Sequence, residues 1–157
     1  MAKLVLCLFI LSTGIFPGEE GFIPVSKKEK ITQGEIALKT ASEYLGDRKY
    51  LSCIEKIKEF QILFHDHPSF SKSHRLLSNA YEKAQKWDKV AETEMNLYRE
   101  NPETEEGLAA YLNAGKAYVR IGKSGEAKKI FESLMIKENT SKLAKEAELE
   151  LKMMNSP

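Results

Sequence analysis

The stretch YLNAGKAYVRIGKSGEAKKIF, residues 111–131, decides the fold, because it recurs in altered form 37 residues earlier as HRLLSNAYEKAQKWDKVAETE (74–94) and again as ALKTASEYLGDRKYLSCIEKI (37–57). Tyr44, Tyr81 and Tyr118 fall in register. So do the small residues Ala41, Ser78 and Gly115, the small apolar set Cys53, Val90 and Ala127, and the large apolar set Phe60, Leu97 and Leu134. A fixed period of this size means stacked copies of one supersecondary unit.

Inside each copy the spacing is helical. Tyr111, Ala114, Gly115 and Tyr118 follow the i, i+3, i+4, i+7 pattern that lines one helix face, as do His74, Leu77, Ser78 and Tyr81, and Ala37, Thr40, Ala41 and Tyr44. The third place of each set is small, which lets a second helix approach closely. A short break follows at Leu45-Gly46-Asp47, Gln85 to Asp88 and Ile121-Gly122-Lys123, where Gly46 and Gly122 suit the left-handed conformation that ends a helix. A second amphipathic helix then carries Cys53, Ile57, Phe60 and Phe64, or Val90, Ala91, Leu97 and Tyr98, or Ala127, Ile130, Phe131 and Leu134. Pro68 and Pro102 punctuate the joins between copies. Ala144, Ala147 and Leu151 mark a last amphipathic helix that shields the open end of the stack. No stretch from Ala37 to Met153 alternates as a half-buried strand would, so the class expected is all-α.

The amino terminus reads differently. Lys3 precedes an apolar run, Leu4 to Phe16, that is too short for a membrane span of about 20 residues and fits a signal peptide, residues 1–14, cleaved after Gly14. A lipid-anchored reading of Cys7 meets Leu6 where a small residue is normal. Residues 15–30 hold two prolines, two glycines and a Lys/Glu cluster without helical period, which reads as a flexible linker to a domain spanning 31–157. Once the signal peptide is removed no integral membrane span is expected, and the protein is exported, periplasmic or envelope-associated. Cys53 then stands alone, in the register of Val90 and Ala127, as a small buried hydrophobe.

With 24 basic and 23 acidic residues and a net charge of +1, the chain has no broad field for nucleic acid. It has no Gly-rich phosphate loop, no nucleophile elbow and no Cys/His motif at metal spacing, so an enzyme is not expected and no cofactor follows. His65, Asp66, His67 and His74 are the one cluster with metal-ligating chemistry. A metal reading through His65 and His67 competes with their place at a helix end, where cationic side chains favour the dipole.

These residues resemble the tetratricopeptide repeat, a family of stacked helix-turn-helix units. The third copy carries the resemblance best, at Tyr111, Ala114, Gly115, Tyr118, Gly122, Ala127 and Phe131; the second carries it at Leu77, Tyr81, Trp87, Val90 and Pro102, and departs from it at His74 and at Glu94, where an aromatic is expected. The segments FQILFHDHPSFSKSH (60–74) and LYRENPETEEGLAAYLNAGKAYVRIGKSGEA (97–127) are similar in flavour to exported bacterial members of the outer-membrane assembly lipoprotein and Tol-Pal cell-division coordinator type. The resemblance implies a right-handed superhelix of about three units plus a capping helix. It also implies a non-enzymatic scaffold that binds a protein or peptide partner on its concave face and has the capacity to self-associate through its ends. The rival reading is a membrane-tethered structural subunit of an envelope assembly.

First helices line that face. The expected groove residues are Lys72, Arg75, Asn79 and Lys83 with Glu82, then Asn113, Lys116 and Arg120 with Ala109, Leu112 and Val119. This is a basic groove with amides, in which Asn79 and Asn113 hold a peptide backbone and Arg75, Lys116 or Arg120 an acidic group or terminal carboxylate. Arg75, Asn79 and Asn113 resemble part of the carboxylate clamp of chaperone-binding members of the family.

Overall fold

A computed structural model describes residues 26–137 and 141–156, and the expected signal peptide, Cys7 and the expected linker as far as residue 25 lie outside them. Among the described residues there are seven helices and no strand: α1 (Lys27–Gly46), α2 (Tyr50–Leu63), α3 (Phe70–Lys83), α4 (Trp87–Glu100), α5 (Glu105–Arg120), α6 (Ser124–Lys137) and α7 (Lys142–Met154). Each helix packs on the next in the chain. None of the described helices is long and apolar enough to cross a membrane.

The turns α1–α2, α3–α4 and α5–α6 are three copies of one hydrogen-bonded joint. In each, the carbonyl of the recurring tyrosine accepts from an N–H five residues on: Lys49 to Tyr44 at 2.8 Å, Lys86 to Tyr81 and Lys123 to Tyr118 at 2.9 Å. Inside that bond, the N–H groups of Arg48, Gln85 and Gly122 reach the carbonyls of Leu45, Glu82 and Val119. This is the Schellman closure of a helix, and it demands a left-handed residue just past the end. Arg48, Gln85 and Gly122 fill the place, with φ of 61°, 57° and 76°. The expected role of Gly46 is thus corrected: it is the last residue of α1, and Arg48 takes the left-handed position because the Tyr44 carbonyl sets the register. Holding a residue with a Cβ there costs on the order of 1 kcal/mol, which two of the three joints sustain. The Lys49 and Lys123 ammonium groups lie over the rings of Tyr44 and Tyr118, 5.9 and 5.8 Å from their centres.

The start of the domain also differs from expectation, since residues 27–30 are helical rather than linker. Ser26 caps α1 by accepting from the Glu29 N–H, and Lys30 pairs with Asp66 at 2.7 Å. These extra turns of α1 receive the α2–α3 connection. The His67 ring lies against Gly34, where a Cβ would stand 2.5 Å from it, and both ring nitrogens are engaged, Nε2 with the Ile31 carbonyl and Nδ1 with the Ser69 N–H, each at 3.0 Å. His67 is therefore a packing residue with no nitrogen left for a metal. Asp66 is taken by Lys30, which with its own backbone hydrogen bond draws its carboxyl below the usual range, and His65 points to solvent. Among the described residues no group of three His, Cys, Asp or Glu side chains is placed to hold a metal ion.

The core runs in two clusters. One is built on Ala41, Cys53, Ile57, Leu77, Tyr81 and Val90, the other on Leu112, Ala114, Ala127, Ile130, Phe131, Leu134 and Ala147. Cys53 is fully buried, and burial pushes its thiol pKa up, as expected of an inert hydrophobe. Between the clusters, α4 meets α5 through the stacked rings of Tyr98 and Tyr111, 4.1 Å apart, and through Arg120, whose guanidinium lies 5.5 Å from the Trp87 ring centre.

Candidate functional site

Helices two apart in the chain touch at α1–α3 and at α5–α7, but α3 and α5 do not pack on each other. They stand on either side of α4, and the gap between them is a groove of about 880 Å³. Lys72, Arg75, Leu76, Ser78, Asn79 and Glu82 of α3 form one wall, Glu106, Ala109, Ala110 and Asn113 of α5 the other, and Glu94 and Leu97 of α4 the floor. Near one end Arg75 reaches across to Glu106, 3.7 Å away.

Four of the seven residues expected from the sequence line this groove: Lys72, Arg75, Asn79 and Asn113. The other three are elsewhere. Lys116 is held by the last helix, its ammonium 2.5 Å from Glu146 and 3.9 Å from Glu150. Arg120 lies over Trp87, and with Lys116 and Val119 it borders a separate hollow under Met153 and Met154 of α7. Lys83 is exposed at the end of α3, outside the groove lining. Leu112 is a core residue, 2% exposed. The expectation of a basic groove is also corrected: its lining has two cations, Lys72 and Arg75, against three carboxylates, Glu82, Glu94 and Glu106.

Glu94 is what the sequence reading did not recognise as a site residue. It occupies the register of Ile57 and Phe131, both fully buried, and is itself only 7% exposed. The signal was present as the one place where the repeat expects an apolar ring and has a carboxylate. The Ser78 hydroxyl donates to Glu94 Oε1 at 2.5 Å, so the helix contact that Gly115 makes with Phe131 in the next copy is here a polar one. Burial raises the Glu94 pKa, against the pull of the Ser78 hydrogen bond, the Arg75 charge and the Asn113 amide.

A buried carboxylate with a raised pKa lowers stability wherever it is ionised. Glu94 binds its proton more readily in the folded chain, so the penalty is full above its folded pKa and fades as pH falls toward the ordinary range. Replacing Glu94 with Met and Ser78 with Ala, which leaves no orphaned hydroxyl, is expected to stabilise the protein by about 1–2 kcal/mol in mildly alkaline solution. The gain shrinks on acidification. Urea denaturation at several pH values measures it, and a gain that is absent, or independent of pH, would contradict the burial argument.

His74 has a different setting, one turn before Ser78 on α3 and outside the groove lining. It is buried, with Phe70 edge-on at 5.2 Å, Glu100 3.6 Å from Nε2, and no hydrogen bond to either ring nitrogen among the described residues. It occupies the place of Tyr111, as the register requires.

Comparison of the sequence with protein-family models and with curated proteins finds no match.

Proposed function

We propose that this chain is a non-enzymatic interaction module of the tetratricopeptide type, a superhelix of three units (α1–α2, α3–α4, α5–α6) closed by α7, which binds an extended segment of a partner protein between α3 and α5. The observation that carries this reading is the gap itself. Two helices flank a third without closing on each other, and the space left is lined by exposed amides, charges and small apolar side chains. That mixture suits a peptide, whose backbone needs hydrogen-bond partners and whose side chains need alternating polar and apolar places. Asn79 and Asn113 face the groove from opposite walls and supply the amides. The signal peptide read at residues 1–14 supports a location outside the cytoplasm, in the periplasm or envelope.

Ala109, half-buried on the α5 wall, offers the test. The Ala109→Trp variant fills the groove from one side without touching either core cluster. A partner captured by the wild-type chain from the cells that produce it, and lost with the tryptophan variant at unchanged melting temperature, is the expected result. Capture of the same partners by both proteins would rule out the groove.

A further inference from the structure

We infer that the groove is built for a cationic side chain, a lysine or arginine of the partner segment, with Glu94 as its buried counter-ion. This rests on the peptide-binding reading above and specifies the chemistry of what is bound.

The argument starts from the internal comparison of the copies. Ile57 and Phe131 show what the fold asks of this register, an apolar side chain with no exposure. Glu94 breaks that rule, and a carboxylate is seldom buried without a cation beside it. None is found within 4 Å of Glu94 among the described residues. Arg75, the cation whose charge Glu94 feels, is 71% exposed and pairs instead with Glu106. The floor of the groove therefore holds a buried carboxyl group with no cation of the described residues in contact with it.

The surroundings agree with a cation on a flexible apolar stem. Leu76, Leu97, Ala109 and Ala110 present aliphatic surface for the methylenes of a lysine or arginine, and Glu82 adds a second carboxylate on the α3 wall. The Arg75 to Glu106 pair spans the groove, so an incoming arginine can replace Arg75 at Glu106 while its neighbour reaches Glu94. An acidic ligand is disfavoured on the same evidence. Of the three cations expected to hold one, Lys116 is engaged by Glu146 and Arg120 by Trp87, so the groove lining keeps two cations, Arg75 and Lys72, against three carboxylates.

Fluorescence anisotropy with short labelled peptides tests this. They share a Ser/Ala frame and differ only in two central residues, Lys-Arg, Leu-Leu or Glu-Glu. The Lys-Arg peptide is expected to bind best, to weaken by about tenfold on Glu94→Gln, which keeps the hydrogen bond to Ser78, and to be lost on Ala109→Trp. Its binding to the wild type should also weaken as pH falls and Glu94 takes up its proton, a response absent from Glu94→Gln. A melting temperature for Glu94→Gln at or above that of the wild type excludes loss of the fold as the cause. If the Leu-Leu or Glu-Glu peptide binds as well as the Lys-Arg one and Ala109→Trp abolishes it, the peptide groove stands and the cation inference falls. Lys-Arg binding that ignores both substitutions is surface adsorption and overturns the inference. Failure of all three peptides overturns both readings.

Discussion

Phe131→Ala is expected to cost about 4 kcal/mol, the range typical of emptying a fully buried aromatic site. Phe131 has no exposure and is among the largest side chains so enclosed. Its ring lies on Gly115 of α5, where a Cβ would stand 2.5 Å from Phe131 Cε1 and 3.0 Å from Ile130 Cγ2. Gly115→Ala should therefore cost about 2 kcal/mol by overpacking, although alanine is intrinsically better than glycine in a helix by about 1 kcal/mol. With the ring removed the conflict disappears, and Gly115→Ala in the Phe131→Ala background becomes neutral or favourable. Urea denaturation of the four proteins of this cycle measures the coupling. Simple additivity would mean that the small residue in this register is there for some reason other than the ring.

Gly107→Ala is the second large effect, with an expected loss of about 3 kcal/mol and a melting temperature lower by on the order of 10 °C. Gly107 sits in the first turn of α5, its N–H donating to the capping hydroxyl of Thr104 at 3.0 Å. A Cβ there would lie 1.7 Å from the Asn101 carbonyl oxygen, which the backbone and hydroxyl of Thr104 both hold in place. Backbone cannot give as a side chain can, so the α4–α5 connection must shift. Glu106 moves with it, and with Glu106 the contact to Arg75 across the groove. Thermal unfolding followed by circular dichroism gives the stability, and unchanged melting would show that the connection yields freely.

The sequence makes the helices legible because their apolar spacing is local. Tyr44, Tyr81 and Tyr118 fixed the period, and the packed small residues Ala41 and Gly115 followed from the same spacing. What it hid depends on contacts between distant elements. The first turn of α1 is held by Asp66, 36 residues away, so residues 27–30 look like linker when read alone. Gly107 looks like an ordinary glycine because its constraint is a carbonyl in the preceding connection. Lys116 and Arg120 stand at groove spacing on α5, yet Glu146 and Trp87 claim them from other helices. Glu94 was visible only as an irregularity, since periodicity reveals that a position is unusual and not which cavity it faces. Arg75, Asn79 and Asn113 were legible because the gap between α3 and α5 lies where first helices face one another.

The three Schellman joints have one more consequence. Lys49, Lys86 and Lys123 leave their turns with the same closing bonds, so they are matched seams. Cutting the chain after Lys49 and after Lys86 and rejoining the ends removes one whole period, and Trp87 then follows Lys49 where Tyr50 stood, with the Tyr44 carbonyl bonded as before. The scaffold is divisible at its seams. The groove is not, because it exists only while α3 and α5 both flank α4, and a chain shortened by one period would keep its joints and lose the groove proposed for recognition.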